Sequence, residues 1–102
     1  MANICENELR AYSEDSRNIQ AIQDFFEKDY KKYKYIDQPT DEDVTVYFDS
    51  AGSFPENDMQ KLYENIPNKE DNTLEIGCLS VEWGNYYSIF HTCTADGWHI
   101  EP

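Results

Sequence analysis

Segments that repeat every two residues and segments that repeat every three to four take turns along this chain. That alternation restricts it to folds in which helices pack on a sheet. Cys5-Glu6-Asn7-Glu8-Leu9-Arg10-Ala11-Tyr12 alternates small or apolar side chains with charged ones, the pattern of a half-buried strand. Ser13-Glu14-Asp15-Ser16 supplies the hydroxyls and carboxylates of a helix start. Ile19, Ile22, Phe25, Phe26, Tyr30 and Tyr33 then share one helical face. Lys28, Lys31 and Lys32 close that helix, where cations oppose the negative end of its dipole. Dipole compensation and solvation account for these lysines without a bound phosphate.

Tyr33 to Ile36 is either a short strand or the helix exit, and Gln38 to Asp43 is an acidic turn. Val44-Thr45-Val46-Tyr47-Phe48 is a strand by its β-branched and aromatic content. Pro55 suits the first turn of a second helix, whose buried face is Met59, Leu62, Tyr63 and Ile66 and which Pro67-Asn68 ends. Leu74 to Glu82 and Tyr86 to Thr94 read as a hairpin turning at Gly84-Asn85, and Asp96-Gly97 leads into a last short strand at Trp98 to Ile100. The expected architecture is a single α+β domain over residues 1–102. Two helices pack on one face of a mainly antiparallel sheet of four to five strands. The opposite face carries Tyr12, Tyr47 and one set of residues from the final hairpin, an aromatic surface on which a partner can dock.

Charge narrows the partners. Twenty-one acids against eight Lys and Arg give a net charge of −13, while 15% of the residues are aromatic. High charge with few aromatics signals disorder; high charge with this many signals a folded domain with an anionic exterior. Such a surface repels nucleic acid and anionic lipid and attracts basic partners. Residues 17–34 carry five basic side chains against three acids, and residues 35–73 carry ten acids against two lysines. The opening residues contain Glu6, Glu8 and Arg10, which interrupt any apolar signal segment, and Trp83 to Ala95 is too short and polar to span a bilayer. The expected compartment is the bacterial cytoplasm, with Cys5, Cys78 and Cys93 as reduced thiols.

No catalytic motif stands out. His91 and Cys93 share a strand face, and with Cys78 opposite they are the closest approach to a metal or thiol site. A structural zinc needs four ligands at recognisable spacing, and only the distant His99 remains as the fourth. Asp41, Glu42 and Asp43 lack the alternate-residue pattern of a calcium loop, and Gly77, Gly84 and Gly97 are too scattered to cradle phosphate. No cofactor and no metal are expected.

The stretch Met1-Ala2-Asn3-Ile4-Cys5-Glu6-Asn7-Glu8-Leu9 resembles the start of the YubB-like (Api-like) family of small phage and plasmid proteins with a ferredoxin-like domain. Members begin with an Asn-aliphatic-or-aromatic-Cys-x-Asn-x-Leu strand. Val46 to Pro55, leading to a helix that closes at Ile66-Pro67, is similar to the family's second motif. Here Gly52 stands where the family has a tryptophan, and Phe54 stands for one of its prolines. The closing hairpin from Leu74 to Ile100 is the third similar piece. The resemblance implies a ferredoxin-like fold and a mobile-element origin, and it carries no catalytic residue across.

The functional expectation is a non-enzymatic interaction protein, a monomer or weak dimer, that binds a basic surface of a host protein. Carboxylates spaced along a compact domain imitate the phosphate ladder of DNA, so nucleic-acid-binding proteins fall within that partner class. The expected contacts are Asp37, Asp41, Glu42 and Asp43 in the loop and Glu64, Glu70 and Asp71 after the second helix. The alternative is a small metal-binding or thiol-dependent enzyme built on Cys78, His91 and Cys93.

Overall fold

The computed structural model describes residues 4–30, 33–37, 39–85 and 87–100. Its elements run β1 (Ile4–Tyr12), α1 (Ser16–Asp24), β2 (Tyr33–Ile36), β3 (Asp43–Ala51), α2 (Glu56–Glu64), β4 (Glu75–Glu82), β5 (Tyr87–Thr94) and β6 (Gly97–His99). The six strands form one antiparallel sheet in the order β2-β3-β1-β4-β5-β6. β1 lies inside it, paired with β3 along its whole length from Ile4↔Ala51 to Tyr12↔Asp43 and with β4 from Cys5↔Glu82 to Tyr12↔Glu75.

The two-residue period settles the faces. Cys5, Asn7, Leu9 and Ala11 of β1 are buried, as are Val44, Val46 and Phe48 of β3, Ile76, Cys78, Ser80 and Glu82 of β4, and His91 and Cys93 of β5. Both helices cover this face. α1 contributes Ile19 and Ile22, and α2 contributes Met59 and Leu62. Helices of nine residues are marginal in water, so these are held mainly by what they bury. The Asp15 carboxylate caps α1 by accepting from the Arg17 N–H at 3.0 Å, worth about 1 kcal/mol. α2 starts after Pro55 without a side-chain cap, and Glu56 and Asp58 offset its dipole instead. Its docking to the last strands is polar at two points: Trp98 Nε1–H donates to the Met59 carbonyl at 2.7 Å and Tyr63 O–H to the Ala95 carbonyl at 2.8 Å.

Two internal clusters anchor the sheet. The first is aromatic: Phe48 packs its ring 5.0 Å from Phe26 and 5.3 Å from Tyr30, and Phe25 stands edge-on to Phe26. The second is polar and centred on the buried Asn7 and Ser80. Asn7 donates to the Phe48 carbonyl at 3.2 Å and to Ser50 Oγ at 2.9 Å, and its Oδ1 accepts from the Ser80 hydroxyl at 2.6 Å. One amide thereby ties β1 to both of its neighbours.

The α+β class, the antiparallel sheet and the two helices on one face agree with the sequence reading, and four details differ. The sheet has six strands rather than four or five, because Tyr33–Ile36 and Gly97–His99 both pair. Tyr33 does not continue the helical face: after Asp24 the chain widens into a π-helical turn over Phe25–Asp29, where Tyr30 N–H donates to the Phe25 carbonyl at 2.7 Å. The wider turn ends the helix and lets Phe25, Phe26 and Tyr30 all reach the core. The hairpin at Gly84-Asn85 is not a two-residue turn; Glu82 pairs with Tyr87 and a 3₁₀ turn over Trp83–Asn85 intervenes. The second helix ends at Glu64, before Pro67. Of the expected helix-closing lysines, Lys28 lies 3.8 Å from Asp24, and Lys31 and Lys32 lie outside the described residues.

Candidate functional site

The other face of the sheet has no helix over it. Register lays it out in cross-strand rows. Asp49, Glu6, Val81 and Ser88 form one; Tyr35, Tyr47, Glu8, Leu79 and Phe90 form the next; Thr45, Arg10, Gly77, Thr92 and His99 form a third; Asp43, Tyr12 and Glu75 form the last. The second row is an apolar band interrupted by one carboxylate. Phe90 is 58% exposed, Tyr35 54% and Leu79 41%, and Tyr35 stacks on Tyr47 with ring centres 6.0 Å apart. Beside Glu8 within the band, Glu6, Asp43, Asp49 and Glu75 stand around it, with Arg10 among them. Arg10 Nε donates to Glu8 at 2.7 Å, and both side chains reach solvent.

Phe90 approaches β4 at Gly77. A Cβ added at Gly77 would fall 2.6 Å from Phe90 Cζ, so the glycine is what lets the tip of the ring come this close to the strand. Beside it runs an open groove of about 800 Å³, lined by Arg10, Tyr12, Asp37, Asp43, Thr92 and Phe90 among others. On the other side of Leu79, Trp83 stands 65% exposed, its indole N–H held by Glu6. Isolated exposed apolar side chains are ordinary; here several gather on one face of the sheet.

The expected aromatic face with Tyr12, Tyr47 and hairpin residues is therefore present. The acidic residues proposed from sequence divide among four settings. Asp37 and Asp43 line the groove on the open face. Asp43 also accepts from the Thr40 hydroxyl at 2.9 Å, so its carboxylate holds the turn. Asp41 and Glu42 are exposed in that turn. The two acidic segments do meet, at Ser13, whose N–H donates to the Glu42 carbonyl at 2.9 Å and whose hydroxyl donates to Asp71. Asp71 is taken up internally, by Ser13, Thr73 and Asn18. Glu64 and Glu70 are exposed beyond α2, where Lys69 caps the Glu64 and Ile66 carbonyls at 3.0 and 2.9 Å.

This loop network sets an acid response. The Arg17 guanidinium, then Asn68, hold the Asp15 carboxyl well below the usual range, and the Ser13 and Thr73 hydroxyls lower that of Asp71. Carboxyls held low in the folded state contribute fully above the unfolded value near pH 4, and that contribution is lost as pH falls further. Mutual repulsion on a chain of net charge −13 acts in the opposite sense, because partial protonation relieves it. The thermal midpoint is expected to hold or rise from pH 7 to about pH 5, then drop below about pH 4. A midpoint that declines steadily from pH 7, and that salt does not raise there, contradicts this balance.

The thiol and imidazole cluster lies on the opposite, helix-covered face. Cys78 pairs directly with His91, and Cys93 follows two residues on. All three are buried, and among the described residues no group of three His, Cys, Asp or Glu side chains is placed to hold a metal. Burial pushes Cys78 and Cys93 up to about 12, so each stays a protonated thiol at neutral pH. His91 stacks on Phe54 with ring centres 4.1 Å apart, and its Nδ1 has no hydrogen-bond partner among the described residues.

No helix among the described residues is long and apolar enough to cross a membrane. No protein-family model, curated protein or solved structure matches the chain.

Proposed function

We propose that this chain is a non-enzymatic interaction protein that binds a basic surface of a host protein through the open face of its sheet. The observation that carries the reading is the face that no helix among the described residues covers, a band of exposed Tyr35, Leu79 and Phe90 with half-buried Tyr47, interrupted by Glu8 and flanked by Glu6, Asp43, Asp49 and Glu75. An apolar centre supplies desolvation energy, and a charged rim supplies steering and selection of basic partners. Nucleic-acid-binding proteins belong to that class, since their own grooves are basic. Nucleic acid itself and anionic membrane do not fit such a face. The same charge keeps copies of the chain apart, consistent with a cytoplasmic monomer or weak dimer.

A ferredoxin-like core with a two-strand extension is part of the proposal. The order β1-α1-β2-β3-α2-β4 with strands laid out β2-β3-β1-β4 supports it, with β5 and β6 added beyond β4. The YubB-like resemblance and the phage or plasmid origin it implies rest on the motifs quoted from the sequence. The alternative, a metal or thiol enzyme at Cys78, His91 and Cys93, has their adjacency in its favour and their burial against it. Stoichiometric zinc or iron in purified protein would revive it.

The docking reading is tested by comparing proteins retained from bacterial lysate by the wild type and by Leu79→Lys/Phe90→Lys, then titrating a cationic amphipathic peptide at two salt concentrations. Both side chains are exposed, so the double variant should fold. Its partner affinity is expected to fall about thirty-fold, the effect of losing a central anchor. Reversing Asp41 and Glu42, with Asp43 kept for its turn, should slow association and flatten its salt dependence. Equal retention and equal peptide binding by wild type and double variant would sink the proposal.

A further inference from the structure

We infer that the cavity beside Trp83 is a pocket for one arginine side chain of the basic partner. The inference rests on the docking reading and narrows it to a single place on the face. After Glu82 the 3₁₀ turn brings the Trp83 indole over the open side, where its Nε1–H donates to Glu6 Oε2 at 2.8 Å. The ring then stands as a wall between two hollows. One, of about 370 Å³, opens toward Tyr87 and Ser88. The other, of about 270 Å³, is lined by Glu6, Glu8, Tyr47, Asp49, Leu79 and Val81.

Three kinds of surface meet in the second hollow: aliphatic from Leu79 and Val81, aromatic from Trp83 and Tyr47, and anionic from Glu6, Glu8 and Asp49. An arginine has the three complementary parts. Its methylene stem covers the aliphatic floor, its planar guanidinium stacks on an indole, and its forked N–H groups meet carboxylates. Lysine matches the stem and the charge, but neither stacks as a plane nor donates as a fork. A neutral guest would cover the carboxylates without adding a compensating charge, and an anion would be repelled.

A guanidinium already engages this carboxylate set from outside. Arg10, in the neighbouring row, donates through Nε to Glu8 Oε2 at 2.7 Å. The guest must therefore share Glu8 with the protein's own arginine. Removing Arg10 should strengthen guest binding, a sign that a merely structural role for Arg10 does not produce.

The test is a titration of the isotope-labelled full chain with N-acetyl-arginine amide, followed by amide and indole N–H resonances, alongside the lysine and citrulline counterparts. Saturable shifts are expected at Trp83, Glu6, Leu79 and Val81 in the millimolar range, with lysine weaker and citrulline silent. Trp83→Ala is expected to weaken arginine about ten-fold, and Arg10→Gln to strengthen it. Trp83 is exposed, so its substitution is expected to leave the fold intact, and retained dispersion of the amide spectrum checks that. Absence of saturable shifts overturns the pocket, as do shifts spread evenly over acids on both faces and unchanged in Trp83→Ala. Equal response to lysine overturns the guanidinium assignment. If the amphipathic peptide still docks through Leu79 and Phe90 while arginine amide does not bind, the pocket falls and the docking face stands; the reverse result removes the docking face alone.

Discussion

Phe48→Ala is expected to lower the unfolding free energy by about 4 kcal/mol. The ring is 1% exposed and joins the sheet to the chain segment that leaves α1, edge-on to Tyr30 and tilted at 45° to Phe26. Its removal loses transfer energy, leaves a cavity, and breaks two ring pairs worth about 0.5–1.5 kcal/mol each beyond burial. Single domains of this size hold about 5–15 kcal/mol in total, so much of the stability goes with it. Urea denaturation followed by tryptophan fluorescence measures the loss. A change under about 1 kcal/mol would mean that the π-helical turn does not pack on β3 as described.

Asn7→Ala is expected to cost about 3 kcal/mol although it removes no large apolar group. The amide is 3% exposed and serves the Phe48 carbonyl, Ser50 and Ser80 together. Alanine leaves the buried Ser80 hydroxyl and the Phe48 carbonyl without this amide, while Ser50 keeps its bond to the Ser53 carbonyl, and each buried group left unpaired costs about 1–3 kcal/mol. Ser80→Ala alone should cost less, and the double variant less than the sum of the two, because both act in one network. Strict additivity in that cycle would show that the Asn7–Ser80 hydrogen bond carries no coupling.

The elements with an unbroken period were legible in the sequence, and the reasons are local. β1 and β3 alternate cleanly, Asp15 sits where a cap is needed, and Ile19, Ile22, Met59 and Leu62 follow helical spacing. Tyr33 was misplaced because it follows Tyr30 at a helical interval, and no residue pattern announces that the chain has already widened and left the helix at Phe25–Asp29. The open aromatic face was legible from alternation alone. Its organisation was not: Phe90 over Gly77 and Trp83 over Glu6 are cross-strand relations that exist only once register is set. Buried Asn7, Ser80, Glu82 and His91 were hidden for a related reason, since a polar side chain on a strand reads as solvent-facing unless its partners on other strands are known. The acidic residues were conspicuous by charge, but charge did not distinguish Asp71, spent on holding a loop, from Asp37 on the groove.

The interior position of β1 also bears on how the molecule is made. Its two neighbours are β3 and β4, and β4 begins only at Glu75, more than sixty residues after β1 ends at Tyr12. At about 5–20 residues per second, a growing chain carries β1 without its second neighbour for roughly 3–13 s. Until β3 is made the strand has two open edges, and until β4 is made it has one, exposed to pairing with other chains. Glu6, Glu8 and Arg10 on one face of it and the polar amide of Asn7 on the other make such pairing unfavourable. The residues that later line the open face and the internal network thus also disfavour misassembly while the chain is being made.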